Sequence, residues 1–320
     1  IVAKIEKMFS ELDKGVESLT AAREQLKAYR QSVLKHAFEG KLTEGWRVKN
    51  PDKVQTPDQL LARLKASRES VRDVKGYELS NLPPLPSGYI YTYLSNLGDL
   101  ARGKSKHRPR NDPRLFQGKY PFIQTGEVRA ANRTVRDFHQ TYNEAGLAQS
   151  HLWPKGTLCI TIAANIAETA FLGFDACFPD SVVGFTAQPE IALPEYVELF
   201  IKAVRVRIEA YAPATAQKNI NLTTLENLII PLCSLEEQKY LVGCAEQILS
   251  VADANDADAQ DNIARCEALR QSILKLAFSG KLVAQEASDE PAAVLLERIR
   301  SGQEGAKKRY TNKNGKKEAA

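Results

Sequence analysis

RQSVLKHAFEGKL at residues 30–42 and RQSILKLAFSGKL at residues 270–282 are near-copies standing 240 positions apart. Between Lys27–Leu42 and Glu267–Leu282, 11 of 16 aligned positions are identical, so the chain carries an internal repeat. The period is far too long for a solenoid. The pattern is one similar helix on each side of an unrelated insert, as in a protein that uses matched helices to place a variable piece in space.

Working outward from the first copy, Ile5, Leu12, Leu19, Leu26 and Val33 recur every seven residues, with Met8, Gly15, Ala22, Tyr29 and His36 as a second row. This spacing predicts a long helix with coiled-coil-type packing, on the order of 60 Å long. Gly40 is its C-cap. In the second copy the first row becomes Ala245, Ala252, Ala259, Cys266 and Ile273. Large residues facing small ones interdigitate, so Leu12, Leu19, Leu26 and Val33 are expected to pack with Ala252, Ala259 and Ile273. Residues 1–40 and 240–280 are therefore expected to pair antiparallel, with Asn255 and Asn262 fixing register from inside the seam. The bland alternative is that each helix covers only its own domain.

A capping box, Ser234-Leu-Glu-Glu237, opens the second helix just after Pro231. The first helix has no such preface: Ile1 aligns with Leu241 and no initiating Met is present. The expectation is a fragment whose preceding residues resembled 220–240. A fainter repeat follows each helix, Leu60-Leu61-Ala-Arg63-Leu64 after Pro57 and Leu295-Leu296-Glu-Arg298-Ile299 after Pro291. Both read as short amphipathic helices with Pro in the first turn. The tail from Ser301 to Ala320, with six basic and two acidic residues, reads as a mobile basic arm.

Composition bounds the rest. No run of about 18 apolar residues is present, so no membrane-spanning helix is expected. The five cysteines form no CxxC pair and read as reduced thiols of a cytoplasmic protein. Four scattered histidines give no metal site. The net charge of +5 is unremarkable, but its distribution is not. From Asp99 to Arg136 ten Lys/Arg face three Asp/Glu, a local +7, whereas from Asp137 to Cys233 five basic residues meet ten acidic ones. A focused basic zone in a near-neutral domain suits a DNA backbone; a solvated loop face is the alternative.

Pro83, Pro84, Pro86 and Gly88 mark entry into the insert. Strands are expected at Tyr89–Leu94, Thr157–Ile162, Thr169–Phe174, Val182–Thr186 and Leu228–Pro231, and a helix at Pro194–Tyr211, a mixed α/β domain. Gly98–Ser105 matches the phosphate-loop pattern GxxxxGK[ST] letter for letter, yet that chemistry needs a helix right after it. Pro109 and Pro113 forbid one. The basic run that follows serves DNA phosphates better. No GxSxG, HExxH or carboxylate-pair nuclease signature occurs, and Asn81-Leu-Pro83-Pro84 only superficially resembles an amino-methyltransferase loop. No catalysis is expected from this chain alone.

These features together resemble the DNA specificity subunit of type I restriction–modification systems. The resemblance rests on Arg30–Leu42 and its second copy, on Lys119-Tyr-Pro-Phe-Ile-Gln-Thr-Gly-Glu-Val128, and on Gln217-x-Asn219-Ile220 followed by Ile229-Ile-Pro231-Leu and Glu236-Glu-Gln238. It covers nearly all of residues 1–285. It implies a division into a conserved helix (1–45), a short helix and linker (46–80), an α/β target-recognition domain (81–235), a second conserved helix (236–285) and a short helix with a basic tail (286–320). The resulting fold class is an α/β recognition domain flanked by two long antiparallel coiled-coil-like helices. The family pairs two recognition domains, whereas this chain has one and looks like a C-terminal half. The implied partners are double-stranded DNA, modification (methyltransferase) subunits, a restriction subunit reached through the complex, and a second copy if the chain dimerises through its helices. No cofactor is implied, since methyl donor and ATP belong to partner subunits. Arg102, Lys104, Lys106, Arg108, Arg110, Arg129 and Arg133 would grip phosphates, with Lys218 beside the groove-facing Gln124, Thr125, Asn132, Gln217 and Asn219. For each of these a turn or capping role is the alternative. The rival class is a coiled-coil adaptor whose insert binds protein; it explains the heptads but not the local +7.

Overall fold

The computed structural model describes residues 1–210, 220–284, 288 and 290–301. They divide into two units, Arg23–Asp256 and a second formed by Ile1–Ala22 with Ala257–Ala320. In chain order the elements are α1 (Val2–Phe38), α2 (Glu44–Lys49), α3 (Pro57–Ser67), α4 (Gly76–Leu79), β1 (Ile90–Tyr93), β2 (Gly98–Arg102), β3 (Phe116–Phe122), α5 (Thr125–Ala130), β4 (Thr134–Val135), β5 (Gln140–Tyr142), α6 (Glu144–Ala148), β6 (Leu158–Thr161), β7 (Thr169–Leu172), β8 (Val182–Ala187), α7 (Pro194–Ala210), α8 (Leu222–Glu226), β9 (Ile229–Leu232) and α9 (Leu235–Phe278). Residues 292–301 are helical as well. Among the described residues no helix is long and apolar enough to cross a membrane.

The repeat is visible in how its two copies stop. Gly40 and Gly280 have φ of 71° and 72°, a left-handed conformation that glycine adopts without penalty. The Lys41 N–H donates to the His36 carbonyl at 3.0 Å and Gly40 to Ala37 at 3.1 Å; Lys281 donates to Leu276 at 2.9 Å and Gly280 to Ala277 at 3.1 Å. These are the paired bonds of a Schellman cap, made twice.

Pairing of the helices is read within each unit. In Arg23–Asp256, Arg23 bonds Asp256 at 2.7 Å and Arg30 forms an ion pair with Asp253 at 2.9 Å, which runs the two helices antiparallel. In the other unit Arg270 pairs with Asp13 and covers the Phe9 ring. Arg30 and Arg270 stand 240 positions apart, as do Asp13 and Asp253, so one ion pair is made twice with its partners exchanged. Along the first row, Val33, Ala252, Ala259 and Ile273 are buried and Leu12, Leu19 and Leu26 half-buried. In the second row Met8, Gly15, Ala22 and His36 are half-buried, but Tyr29, Asn255 and Asn262 are exposed, and Arg30, Asp256 and Ile263 take the half-buried places beside them. A helix of 3.6 residues per turn drifts by ~20° per heptad against a seven-residue row, so the facing position slides by one.

The insert is built on a five-stranded sheet of order β2-β8-β6-β7-β4, with two-stranded ribbons β1-β9 and β3-β5 beside it. Its central strands are buried on both faces. Leu158, Ile160, Val183 and Phe185 join a core with Tyr196, Phe200 and Ile201 of α7, Leu34 and Phe38 of α1, Leu64 of α3 and Leu241 of α9. Cys159, Ala170, Leu172 and Val182 alternate with them and join Ile123, Val128, Trp153 and Phe178 on the other face. That double burial is why β6, β7 and β8 read as continuous apolar runs. Pro231 sits in β9 because a two-stranded ribbon leaves each strand an edge.

The Ser234 hydroxyl caps α9 through the Glu237 N–H at 3.3 Å. The Glu237 side chain does not complete the box. Fully buried, its Oε1 accepts from the Thr43 hydroxyl at 2.6 Å, Arg47 Nη1 at 2.7 Å and the Tyr89 hydroxyl at 2.8 Å. One carboxylate thus ties the end of α1, the first turn of α2, the entry to β1 and the start of α9. Burial beside this carboxylate pushes the Tyr89 phenol far above its usual value. Glu237→Ala strands the Arg47 guanidinium, 11% exposed, without its counter-charge. A loss of about 3–5 kcal/mol in urea unfolding is expected; a loss under about 1 kcal/mol contradicts this role.

Candidate nucleic-acid interface

Strand register decides which loops meet. Arg102 stands opposite Val183, Thr161 opposite Val182 and Ile160 opposite Thr169, while β4 runs parallel to β7 with Thr134 opposite Phe171. Residues 103–115 after β2, 162–168 between β6 and β7, 179–181 before β8 and 131–133 before β4 therefore open at one end of the sheet.

The phosphate-loop letters dissolve in this geometry. Gly98 begins β2, and no helix follows Ser105; the next regular element is the three-residue turn Pro113–Leu115. A Cβ at Gly98 would stand 2.2 Å from the Thr186 carbonyl oxygen, and one at Gly103 2.2 Å from that of Phe178. Both glycines let backbones approach.

The loop that follows carries Lys104, Lys106, Arg108 and Arg110, all exposed. Arg102 donates to the Asp180 carbonyl at 2.9 and 2.6 Å, and Arg110 to both oxygens of the Asp180 carboxylate at 2.7 and 2.8 Å. Beneath the loop lies Asp112, a buried carboxylate that accepts from the Arg114 N–H at 3.0 Å, from Arg114 Nη2 at 2.6 Å, and pairs with His107 Nε2 at 2.8 Å. Hydrogen bonds from the Arg114 guanidinium and backbone, then His107, hold its carboxyl well below the usual carboxylate range. The His107 N–H is taken by Gln149 at 3.0 Å, and the Lys104 carbonyl accepts from Ser150 at 2.7 Å. The basic side chains project from a pinned backbone.

Two unusual turns share this end. Thr134 N–H donates to the Asn132 carbonyl at 2.8 Å across Arg133, whose φ is 65°. Asn165 N–H donates to the Ala163 carbonyl at 2.8 Å across Ala164, whose φ is 64°. Three-residue turns with positive φ at a non-glycine centre are rare and strained, on the order of 1–3 kcal/mol each. Arg129, exposed on α5, donates to Asn165 Oδ1 at 3.2 Å and links the two loops.

Of the residues expected from sequence, Arg102, Lys104, Lys106, Arg108, Arg110, Arg129, Asn132 and Arg133 gather here. The Arg133 side chain points inward, to Glu198 at 3.3 Å and to Glu246, over the Phe171 ring; its charge is spent on α7 and α9. Gln124 and Thr125 lie at the start of α5, where the Gln124 amide donates to Gln140 at 2.9 Å. Gln217, Lys218 and Asn219 lie outside the described residues. Sequence reasoning passed over Asp112, Asn165 and Asp180. Asp112 had a local signal, a lone acid inside a basic run; Asn165 and Asp180 depend on pairing across the sheet, which no local pattern reports.

The model of the type I restriction modification DNA specificity domain matches residues 93–253, half of the chain and all of the sheet. The chain belongs to this family. As a family member it aligns over 94% of its length with the type I restriction enzyme EcoKI specificity subunit of Escherichia coli K12, at 25% identity and covering 61% of that protein. The EcoDI specificity subunit of Escherichia coli is likewise 25% identical, with 66% of it covered. The chain thus spans about three-fifths of the length of these curated relatives. The HsdS subunit from Thermoanaerobacter tengcongensis shares its fold at TM-score 0.55 and 18% identity, over 88% of this chain and 57% of that one. A chain of a type I R-M system does so at TM-score 0.54 and 17% identity, over 86% and 60%.

The Asp112 anchor has a pH signature. Its folded carboxyl is more acidic than the unfolded one, so the stability it adds is present above the ordinary carboxylate value near about pH 4 and is lost as pH falls through the lower folded value. The stability difference between the unaltered chain and Asp112→Asn, read by urea unfolding, is expected to stay constant from about pH 8 to about pH 5 and to shrink progressively as pH falls below about pH 4. A difference already gone at about pH 5 contradicts it.

Proposed function

We propose that this chain recognises DNA sequence, reading one half of a bipartite target and positioning methyltransferase subunits, with a restriction subunit reached through the same complex. The observation that carries this reading is the convergence of the pinned basic loop and the two strained turns at one sheet end, in a chain of the specificity family. Phosphate contacts from Lys104, Lys106, Arg108 and Arg110 set orientation and supply affinity that is blind to sequence. Polar groups on rigid turns beside them supply choice among bases. Arg133 is left out of the contact set, since its half-buried side chain turns inward to Glu198 and Glu246, whereas Arg110, paired with Asp180, stays exposed on the loop. Within the Arg23–Asp256 unit, the ion pairs of Arg23 and Arg30 support the helices beside the recognition domain as a surface that methyltransferase subunits or a second copy would use. The chain acts here as a non-catalytic subunit, and no cofactor is assigned to it.

Selection from a random duplex library, with and without the neighbouring methyltransferase subunit, tests this. One short enriched motif is expected, or the same motif inverted at fixed spacing if the chain dimerises; no enrichment in either condition returns the reading to a protein-binding adaptor. The triple variant Lys104→Ala, Arg108→Ala, Arg110→Ala is expected to weaken all duplexes alike and to flatten the log–log salt slope by up to ~3, at roughly 0.9 per phosphate contact. Lost sequence preference with undiminished affinity contradicts the phosphate role.

A further inference from the structure

The segment Thr161-Ile-Ala-Ala-Asn-Ile-Ala-Glu168 has no basic residue and no counterpart among the residues that sequence reading assigned to DNA. Its backbone is fixed with unusual thoroughness. Ile162 and Ile166 are plugged into the core on either side of the tip. The Thr161 hydroxyl donates to the Asn165 carbonyl and accepts from the Glu168 N–H at 3.0 Å, while Ala167 N–H returns to the Thr161 carbonyl at 2.9 Å. Ile162 bonds Ser181 and Ile220 at 2.9 Å each. Two alanines here, Ala164 at 64° and Ala167 at 58°, are held in the left-handed region that favours glycine. So much restraint fixes Ala164, exposed, and Ala163 and Asn165, half-buried, at the sheet end that also carries the basic loop.

We propose that Asn165 is a base-reading residue, presented on this turn and oriented by Arg129, and that it contacts an adenine in the major groove. The proposal rests on the DNA-recognition reading above. The Arg129 guanidinium donates to the carboxamide oxygen, and that bond sets which end of the amide is oxygen and which is nitrogen. An amide oxygen has two lone pairs, so it accepts from Arg129 and from the adenine N6 amino group together, while the amide nitrogen donates to N7. The turn brings to Asn165 the rigidity that discrimination needs: a wrong base meets a misplaced donor or acceptor rather than a side chain free to swing away. Arg129 is then a positioning residue.

The test repeats the library selection with Asn165→Ala and Asn165→Asp, alongside melting temperatures and salt slopes. Asn165→Ala is expected to abolish preference at one position of the motif, lowering discrimination there on the order of tenfold to hundredfold. The other positions and the salt slope stay unchanged. Asn165→Asp keeps the shape and the Arg129 partner but replaces a donor by an acceptor, so preference at that position is expected to move from adenine towards cytosine. If the alanine variant fails to fold, the isosteric aspartate variant carries the test alone. An unchanged motif in both variants overturns the proposal and leaves DNA recognition standing. A uniform loss over all sequences at unchanged melting temperature also overturns it, since that is the mark of a phosphate contact. No motif from the unaltered chain removes the recognition reading itself, and this assignment with it.

Discussion

Everything in the Arg23–Asp256 unit hangs on the buried carboxylate of Glu237. Thr43, Arg47 and Tyr89 donate to one of its oxygen atoms, and the Glu237 N–H donates to the Ser234 hydroxyl. Hydrogen bonds to a charged acceptor are each worth roughly 1.5–3 kcal/mol in net terms, and they are directional. They fix where the chain leaves the first repeat helix, where it enters the sheet and where it begins the second. A purely apolar junction would tolerate sliding; this one does not. The Arg47 guanidinium, bonded also to the Gly40 carbonyl at 2.8 Å, closes the helix end onto the same cluster.

With the junction fixed, the sheet determines what its loops can do. Antiparallel registers among β2, β8, β6 and β7, with β4 parallel at the far edge, bring four connections to one end. Those connections are stiff for different reasons: the basic loop is tied down by Asp112, Gln149 and Ser150, and the 163–165 turn is wedged between core isoleucines. Strained backbone persists only where surroundings over-determine it. Here the surroundings are the sheet core on one side and Glu198 of α7 and Glu246 of α9, through Arg133, on the other.

Much of this was legible in the sequence, and the failures are as physical as the successes. The near-copy at residues 30–42 and 270–282 disclosed two helices, and the seven-residue row through Leu12, Leu19, Leu26 and Val33 follows the less exposed face of the first. The strands β6, β7, β8 and β9 and the helix α7 announced themselves because buried elements must be apolar. The strands β2 (GDLAR) and β3 (FQGKYPF) were silent, since an edge strand tolerates Gly, Pro and charge on its open side. Asn255 and Asn262 misled because a fixed seven-residue count ignores helical drift. Glu237 misled because a capping-box pattern says nothing of a stronger partner arriving from Thr43, Arg47 and Tyr89. The local +7 from Asp99 to Arg136 located the basic loop, but it swept in Arg133, whose partners Glu198 and Glu246 lie 65 and 113 residues away.

Hydrogen–deuterium exchange with and without a selected duplex tests most directly that DNA is read at this end of the sheet. Slowed exchange confined to amides of 103–112, 129–134 and 162–168, with residues 77–82 and α7 unaffected, is the expected result. Protection along α7 and residues 77–82, with the three loops exchanging as in the free protein, would place the DNA on another face and contradict it.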